Sequence, residues 1–133
     1  MELSLPIDVA DAIRAWLEAN GVHACAEPLP HDLAAELPIT LVQPIGGQRT
    51  VQVLDRHAVR LYTWAESYAD AIAECGRAMA TLAAAEGQAI GGVPCYRVTS
   101  TALPYPAHDP LHPDIPRAGT TADVYARAVT TNQ

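Results

Sequence analysis

Apolar positions are most regular between residues 64 and 86, where the chain reads WAESYADAIAECGRAMATLAAAE. Ile72, Cys75, Met79 and Leu82 recur at three- and four-residue spacing, which lines one face of a helix. Alanine fills much of the remainder and favours helix at nearly every position. Ser67 and Asp70 form an S-x-x-D start, in which the hydroxyl takes an orphan amide and the acid suits the positive helix end. Gly87 stands where a C-cap is wanted. The pattern predicts a helix of roughly 18 residues, about 27 Å long. Just before it, Val59, Leu61 and Thr63 alternate with Arg60, Tyr62 and Trp64, the period of a strand. A short turn then folds the helix back over its own strand. This unit builds the core, and function is expected on the loops that it holds.

The remaining pattern is shorter-ranged. Residues 6–19 predict a first helix with Val9, Ile13, Trp16 and Leu17 inward and Asp8, Asp11 and Glu18 outward. Pro6 suits its first turn, and Asn20-Gly21 suits its end. Residues 22–26 suggest a short strand, followed by a proline-bounded connector, EPLPHDLAAELP, with at most one helical turn. Residues 39–42 form a β-branched strand that is expected to stop at Pro44, with Gly46-Gly47 marking a turn. Residues 46–56 read as a loop or mobile hairpin tip. Gly91-Gly92 precedes an alternating strand at 93–99, with Pro94 near its start, where proline is tolerated. Residues 103–119 hold five prolines, too many for a central strand or a helix, so a crossing loop or arm is expected. Residues 120–131 supply a last strand, with Val124 or Tyr125 facing the core. The order α, β, β, β, α, β, β lacks a βαβ rhythm. It predicts one α+β domain over residues 1–133, a mostly antiparallel sheet with one long and one shorter helix packed on one face.

Composition narrows the chemistry. The chain has 133 residues, enough for one domain with a real core. It carries a net charge of -7 with eight arginines and no lysine, a poor balance for gripping nucleic-acid phosphates through a basic face. No apolar run approaches membrane-spanning length, and the opening MELSLPIDVADAIRAW has neither a basic start nor a long apolar stretch, so no signal peptide is expected. Cys25, Cys75 and Cys95 are widely spaced and odd in number, which predicts buried thiols in a reducing compartment. His23, Cys25 and His31, or His108, Asp109, His112 and Asp114, are the only groupings with metal-ligand chemistry, and neither has zinc-finger spacing. No G-x-S-x-G, H-E-x-x-H or phosphate loop occurs. The residues therefore point away from an enzyme, a cofactor or a bound metal. Tyr62, Trp64, Tyr96, Tyr105 and Tyr125 serve either sheet packing or a protein interface.

One resemblance spans the chain. A first helix ending in W-L-x-x-x-G (Trp16, Leu17, Gly21) precedes a strand LPITLVQPIGG that closes on paired glycines. A polar loop with Asp55, then VRLYTWAES, leads into the alanine-rich helix that ends near Leu82. GGVPCYRVTS, a proline-rich loop, Pro116-Arg117 and ADVYARAV follow. In this order and spacing the chain resembles the tail terminator, or tail completion, proteins of long-tailed bacteriophages. ADVYARAV departs from the pattern in being less apolar than expected. The resemblance implies a structural, non-enzymatic protein of the virion, at the tail–head junction and made in the host cytoplasm. It would form a ring with itself, commonly of six subunits, on the head-proximal end of the tail tube, where it stops tube growth and docks the head connector. DNA would pass through without being read and no membrane would be involved. The family has no catalytic residues to carry over. The two long loops, 44–57 and 103–119, are the expected contacts, with Arg49, Gln52, Asp55, Arg56, Tyr105 and Arg117 at the interface. A head-completion or neck protein is the alternative within the same class. A small ligand- or metal-binding domain using His108 and His112, or a dimeric regulatory partner, are the alternatives outside it.

Overall fold

The computed structural model describes residues 1–51 and 53–132. Strand β1 (Glu2–Leu5) is followed by helix α1 (Val9–Ala19), β2 (Ala24–Cys25), β3 (Ile39–Val51), β4 (Leu54–Trp64) and helix α2 (Tyr68–Ala83). Then come β5 (Ala89–Ile90), β6 (Val93–Ser100), β7 (Tyr105–Pro106), β8 (Arg117–Arg127) and β9 (Val129–Asn132). The main sheet runs β2-β3-β4-β8-β6-β5, with β7 paired to β8, and β1 and β9 make a separate two-stranded sheet. All pairings are antiparallel except β2 with β3. Both helices lie on one face, so the α+β architecture is as expected from the sequence.

The helical face of the sheet is made by one parity of each strand. Val42 opposes Leu61, Leu61 opposes Thr120, and Val59 opposes Ala122, all buried with Ile13 and Leu17 of α1 and Ala78 and Leu82 of α2. The Ser67 hydroxyl caps α2 by accepting the Asp70 amide at 3.1 Å. Two details of α2 differ from the sequence pattern. Its innermost residues are Ala71, Cys75, Ala78 and Leu82, whereas Ile72 and Met79 are only partly buried. The face is turned because small alanines let the helix sit close to the sheet, and the larger chains flank the contact. The helix also stops at the Ala84 cap rather than Gly87, whose positive φ of 83° belongs to the turn that brings its amide to the Cys95 carbonyl. In α1 the Asp8 side chain caps the helix, so Pro6 precedes it. Trp16 lies at the edge of the core, where its indole N–H donates to the Thr81 carbonyl at 2.7 Å and ties the helices together.

Among the described residues, 46–51 and 54–56 are strand rather than loop. β3 runs through Pro44 and the glycine pair to Val51 and stays paired with β4. Pro44 is tolerated because β2 covers the outer edge of β3 only at Thr40 and Leu41, so no donor is missed there. A bulge between Pro44 and Gly47 absorbs the extra residue. Gly47 has φ 137°, and a Cβ there would run into the Arg56 carbonyl, so the bulge requires glycine. Strands β1, β5 and β7 were not legible as strands, being short and paired to distant or bulged partners, and the single last strand expected at 120–131 is broken at Ala128 into β8 and β9.

The other face of the sheet carries a smaller core at one end. Ile39, Leu41 and Trp64 are buried there with Leu33 of a single 3-10 turn, and Tyr62 and Ile115 pack beside them. Residues 107–116 cross over this end as an ordered loop. Residues 117–119, expected in that loop, already belong to β8.

The turned face of α2 gives a direct test. Leu82→Ala should destabilise the fold by about 2–5 kcal/mol, because a fully buried side chain leaves a cavity. Met79→Ala should cost clearly less. Urea unfolding of the two variants measures this, and equal losses would contradict the helix orientation.

Candidate functional site

The residues expected at an interface separate into two places. Arg49, Asp55 and Arg56 lie at the hairpin end of the sheet; Tyr105 and Arg117 lie at the other. Because Asp55 opposes Ala126 and Trp64 opposes Arg117, the two groups are about 30 Å apart along β4 and β8. Gln52 lies outside the described residues.

At the crossing-loop end the key residue is Asp109, which is 4% exposed. Its Oδ2 accepts the Trp64 indole N–H at 2.9 Å and meets His112 Nδ1 at 2.8 Å; its Oδ1 accepts the Leu111 amide at 3.0 Å. Arg117 donates to the carbonyls of Ala107 and His108 at 2.8 and 2.9 Å. Its guanidinium lies 3.9 Å from the Tyr62 ring centroid, a stacked cation–π contact. Arg117 is thus an internal clamp rather than a free contact. Burial pushes the Asp109 carboxyl up, but its hydrogen bonds to His112, Trp64 and Leu111, aided by the Arg117 charge, outweigh this and hold it below the usual carboxylate range. The clamp fixes a loop that leaves Leu103, Tyr105 and Leu111 exposed, at 77%, 40% and 84%.

His112 is engaged through its ring with Asp109, while His108 gives its main-chain carbonyl to Arg117. His23 is likewise engaged, with Glu18 and Glu36 each 2.9 Å from one ring nitrogen, and the Glu18 bond raises its pKa most. Among the described residues no group of three or more His, Cys, Asp or Glu side chains is placed to hold a metal ion. Cys75 is fully buried and burial pushes its thiol up to about 11; Cys25, half-buried, is pushed up to about 11 by the same cause. Neither is activated as a nucleophile.

At the hairpin end, Arg49 pairs with the directly opposed Asp55 through two bonds of 2.6 and 3.0 Å, and also donates to the Ser4 carbonyl at 3.0 Å. Arg56 reaches Asp123 of β8 at 3.1 Å. Both arginines are thereby occupied within the subunit. Beside them an open groove of about 710 Å³ lies between the first turn of α1, the end of β1 and the distal half of β3. His57 lines it, is 9% exposed, and has no hydrogen-bond partner for Nε2 among the described residues. Burial lowers its pKa, opposed by the Asp55 charge. Sequence reasoning missed His57. The signal was present, since His57 shares the parity of Val59, Leu61 and Thr63 and so belongs to the core-facing row.

Neither a family model nor a curated protein matches the sequence.

Two outcomes follow from these networks. Asp109→Ala should destabilise the fold by about 3–5 kcal/mol, since it strands the Trp64 indole N–H and the Arg117 charge. Limited proteolysis should then cut within residues 103–116, and an unchanged cleavage pattern would show that the loop is held otherwise. His57 has a lowered folded pKa, so it contributes stability above the unfolded value of 6.5 that is lost as pH falls through the folded one. His57→Phe should remove that part of the slope. Chemical unfolding of both proteins between pH 7.5 and about 5 checks it, with identical slopes as the contrary result.

Proposed function

We propose that the chain is a structural, non-enzymatic head–tail joining protein of a long-tailed bacteriophage, a tail terminator. It assembles with itself into a ring, commonly of six subunits, on the head-proximal end of the tail tube. The ring stops tube polymerisation, offers the docking surface for the head connector and lets DNA through unread. The observation that carries this reading is the order of motifs over the whole chain, from Trp16-Leu17 through the VRLYTWAES segment to Pro116-Arg117.

The structure lends it a contact surface. A buried carboxylate, an indole, an imidazole and a guanidinium hold the crossing loop in one conformation. That loop displays two leucines and a tyrosine to solvent, chemistry that a partner subunit or the tube end would bury. The outer edge of β3 beyond Leu41 has no strand paired to it among the described residues, and its distal end near Arg49 lies about 30 Å along the sheet in strand direction from the loop. A subunit in a stack needs two such separated contacts, one toward the tube and one toward the connector. Arg49, Arg56 and Arg117 act within the subunit here, so the contacts on the loop are chiefly apolar.

Leu103→Glu with Leu111→Glu should leave the melting temperature of the subunit unchanged, because both side chains are exposed. It should abolish rings, read by solution mass and negative-stain images with and without tail tubes, and tails assembled with it should run over length. Normal rings and tails of correct length would remove this loop from assembly. Tube ends that stay uncapped by the unaltered protein would count against the terminator reading itself.

A further inference from the structure

The face of the sheet turned away from the helices has a charge opposite to that of the chain as a whole. Strand parity puts Arg56 and Arg60 of β4, Arg97 of β6 and Arg127 of β8 on its open part, half of the eight arginines in a chain of net charge -7. Arg117, in the same row of β8, is held by the crossing loop. Among the described residues the strands of the main sheet bring one acid to this face, Asp123, and Glu27 reaches its margin through the Gln43 side chain. Asp123 occupies Arg56, and Arg60 donates twice to the neutral Gln43 side chain. Exposed Arg97 and Arg127 donate to no described residue, although Arg97 lies 6.0 Å from the Tyr125 ring centroid. At the border with the crossing loop, exposed Tyr105 stands over Gly119, so the basic area runs on from the apolar surface assigned to assembly.

The compensating acid lies on the helical side. Glu66 and Asp70, at the start of α2, are exposed, and their carboxylates have no partner among the described residues. They line an open groove of about 400 Å³ with Leu37, Pro38, Ala65 and Ala73. Arg77, the cation in its lining, is held by Glu74 and the Gly21 carbonyl. We propose that the sheet face of one copy docks on the helical side of the next, with Arg97 and Arg127 meeting Glu66 and Asp70. Its role rests on the ring reading above, in which this is the lateral contact between neighbours. A second copy fits the face better than nucleic acid does. It offers free carboxylates beside apolar walls for the arginine stems, whereas phosphates would also meet the acidic excess over the rest of the surface. The two surfaces lie on opposite sides of the subunit, so the contact is heterologous and repeats from copy to copy instead of closing a two-fold dimer. Exposed ion pairs add little affinity. The arginines therefore set orientation, and the adjoining Tyr105 and Tyr125 supply apolar area.

Charge exchange between two full-length variants tests this. Arg97→Glu with Arg127→Glu reverses the sheet face; Glu66→Arg with Asp70→Arg reverses the helical side. All four side chains are exposed, so both variants should keep a cooperative melt. In sedimentation at low salt and high protein concentration the unaltered chain should associate, and 0.5 M-range salt should weaken that association by about tenfold or more. Each variant alone should stay monomeric. An equimolar mixture should associate as the unaltered chain does, because each contact then joins two native surfaces or two reversed ones. Should a reversed variant fail to fold, Arg97→Gln with Arg127→Gln carries the test and should weaken association by roughly tenfold. The proposal is overturned if the unaltered chain stays monomeric, if either folded variant alone still associates, or if the mixture does not recover. It is also overturned if the sheet-face variant loses binding to duplex DNA while associating normally. Tubes capped normally by either variant alone would remove this contact and leave the terminator reading standing. Salt-sensitive association restored in the mixture, with tubes left uncapped, would keep the contact and remove that reading.

Discussion

Strand β4 has a hydrogen-bonded neighbour along its whole length on both edges, β3 on one side and β8 on the other. It is also covered on both faces where it nears α2, by Val59, Leu61 and Thr63 on the helical side and Trp64 on the other. Such a strand has no freedom of register, because a slip of one residue would exchange Leu61 with Tyr62 and drive Arg60 into the helices. Every other feature takes its position from that constraint. The buried Thr40–Thr63 hydroxyl pair, 2.8 Å apart, fixes β3 against it under the helices. Trp64 fixes the crossing loop through Asp109, and Asp55 fixes the hairpin through Arg49.

The helices and β4 were legible because their signals are local. Ser67 caps four residues before Ala71 enters the core, and period-two alternation needs no knowledge of the partner strand. The exact face of α2 was less so. Hydrophobic size ranks Ile72 and Met79 above Ala71 and Ala78, but close packing on a sheet rewards the smaller residue. The extension of β3 was hidden by its own punctuation: proline, then two glycines, normally ends a strand. Here the proline sits at an uncovered edge and the glycines make a bulge, facts that depend on which strand lies where. β1 and β9 stabilise one another across nearly the whole chain length, with Glu2 opposite Asn132, and nothing within either segment announces the other.

The candidate site residues were legible as residues and not as roles. Arginine on a polar segment reads as an interface group, since guanidinium is common there. In this molecule the geometry gives most arginines an internal acceptor. Arg49 and Arg56 have carboxylates, Arg60 has the Gln43 side chain, Arg77 has Glu74 and the Gly21 carbonyl, and Arg117 has two loop carbonyls. A guanidinium with five donors can serve several acceptors at once, which is how a chain without lysine cross-links its loops to its sheet.

That use of arginine bears on how contacts with other chains can form. Moving Arg117 to a partner would release Ala107 and His108, withdraw the cation from Tyr62 and leave Asp109 with less compensation in a buried setting. The loss inside the subunit would offset much of any pairing gained outside, since exposed ion pairs are worth about 0–1 kcal/mol. Leu103 and Leu111 carry no such internal obligation. Burying them removes apolar area from water at no cost to the clamp, at roughly 25 cal/mol per Å². The charged network and the exposed leucines are therefore two parts of one arrangement. Polar groups that would be weak at a wet interface are used where burial makes them rigid, and the rigidity lets apolar groups stand in solvent without collapsing back onto the subunit.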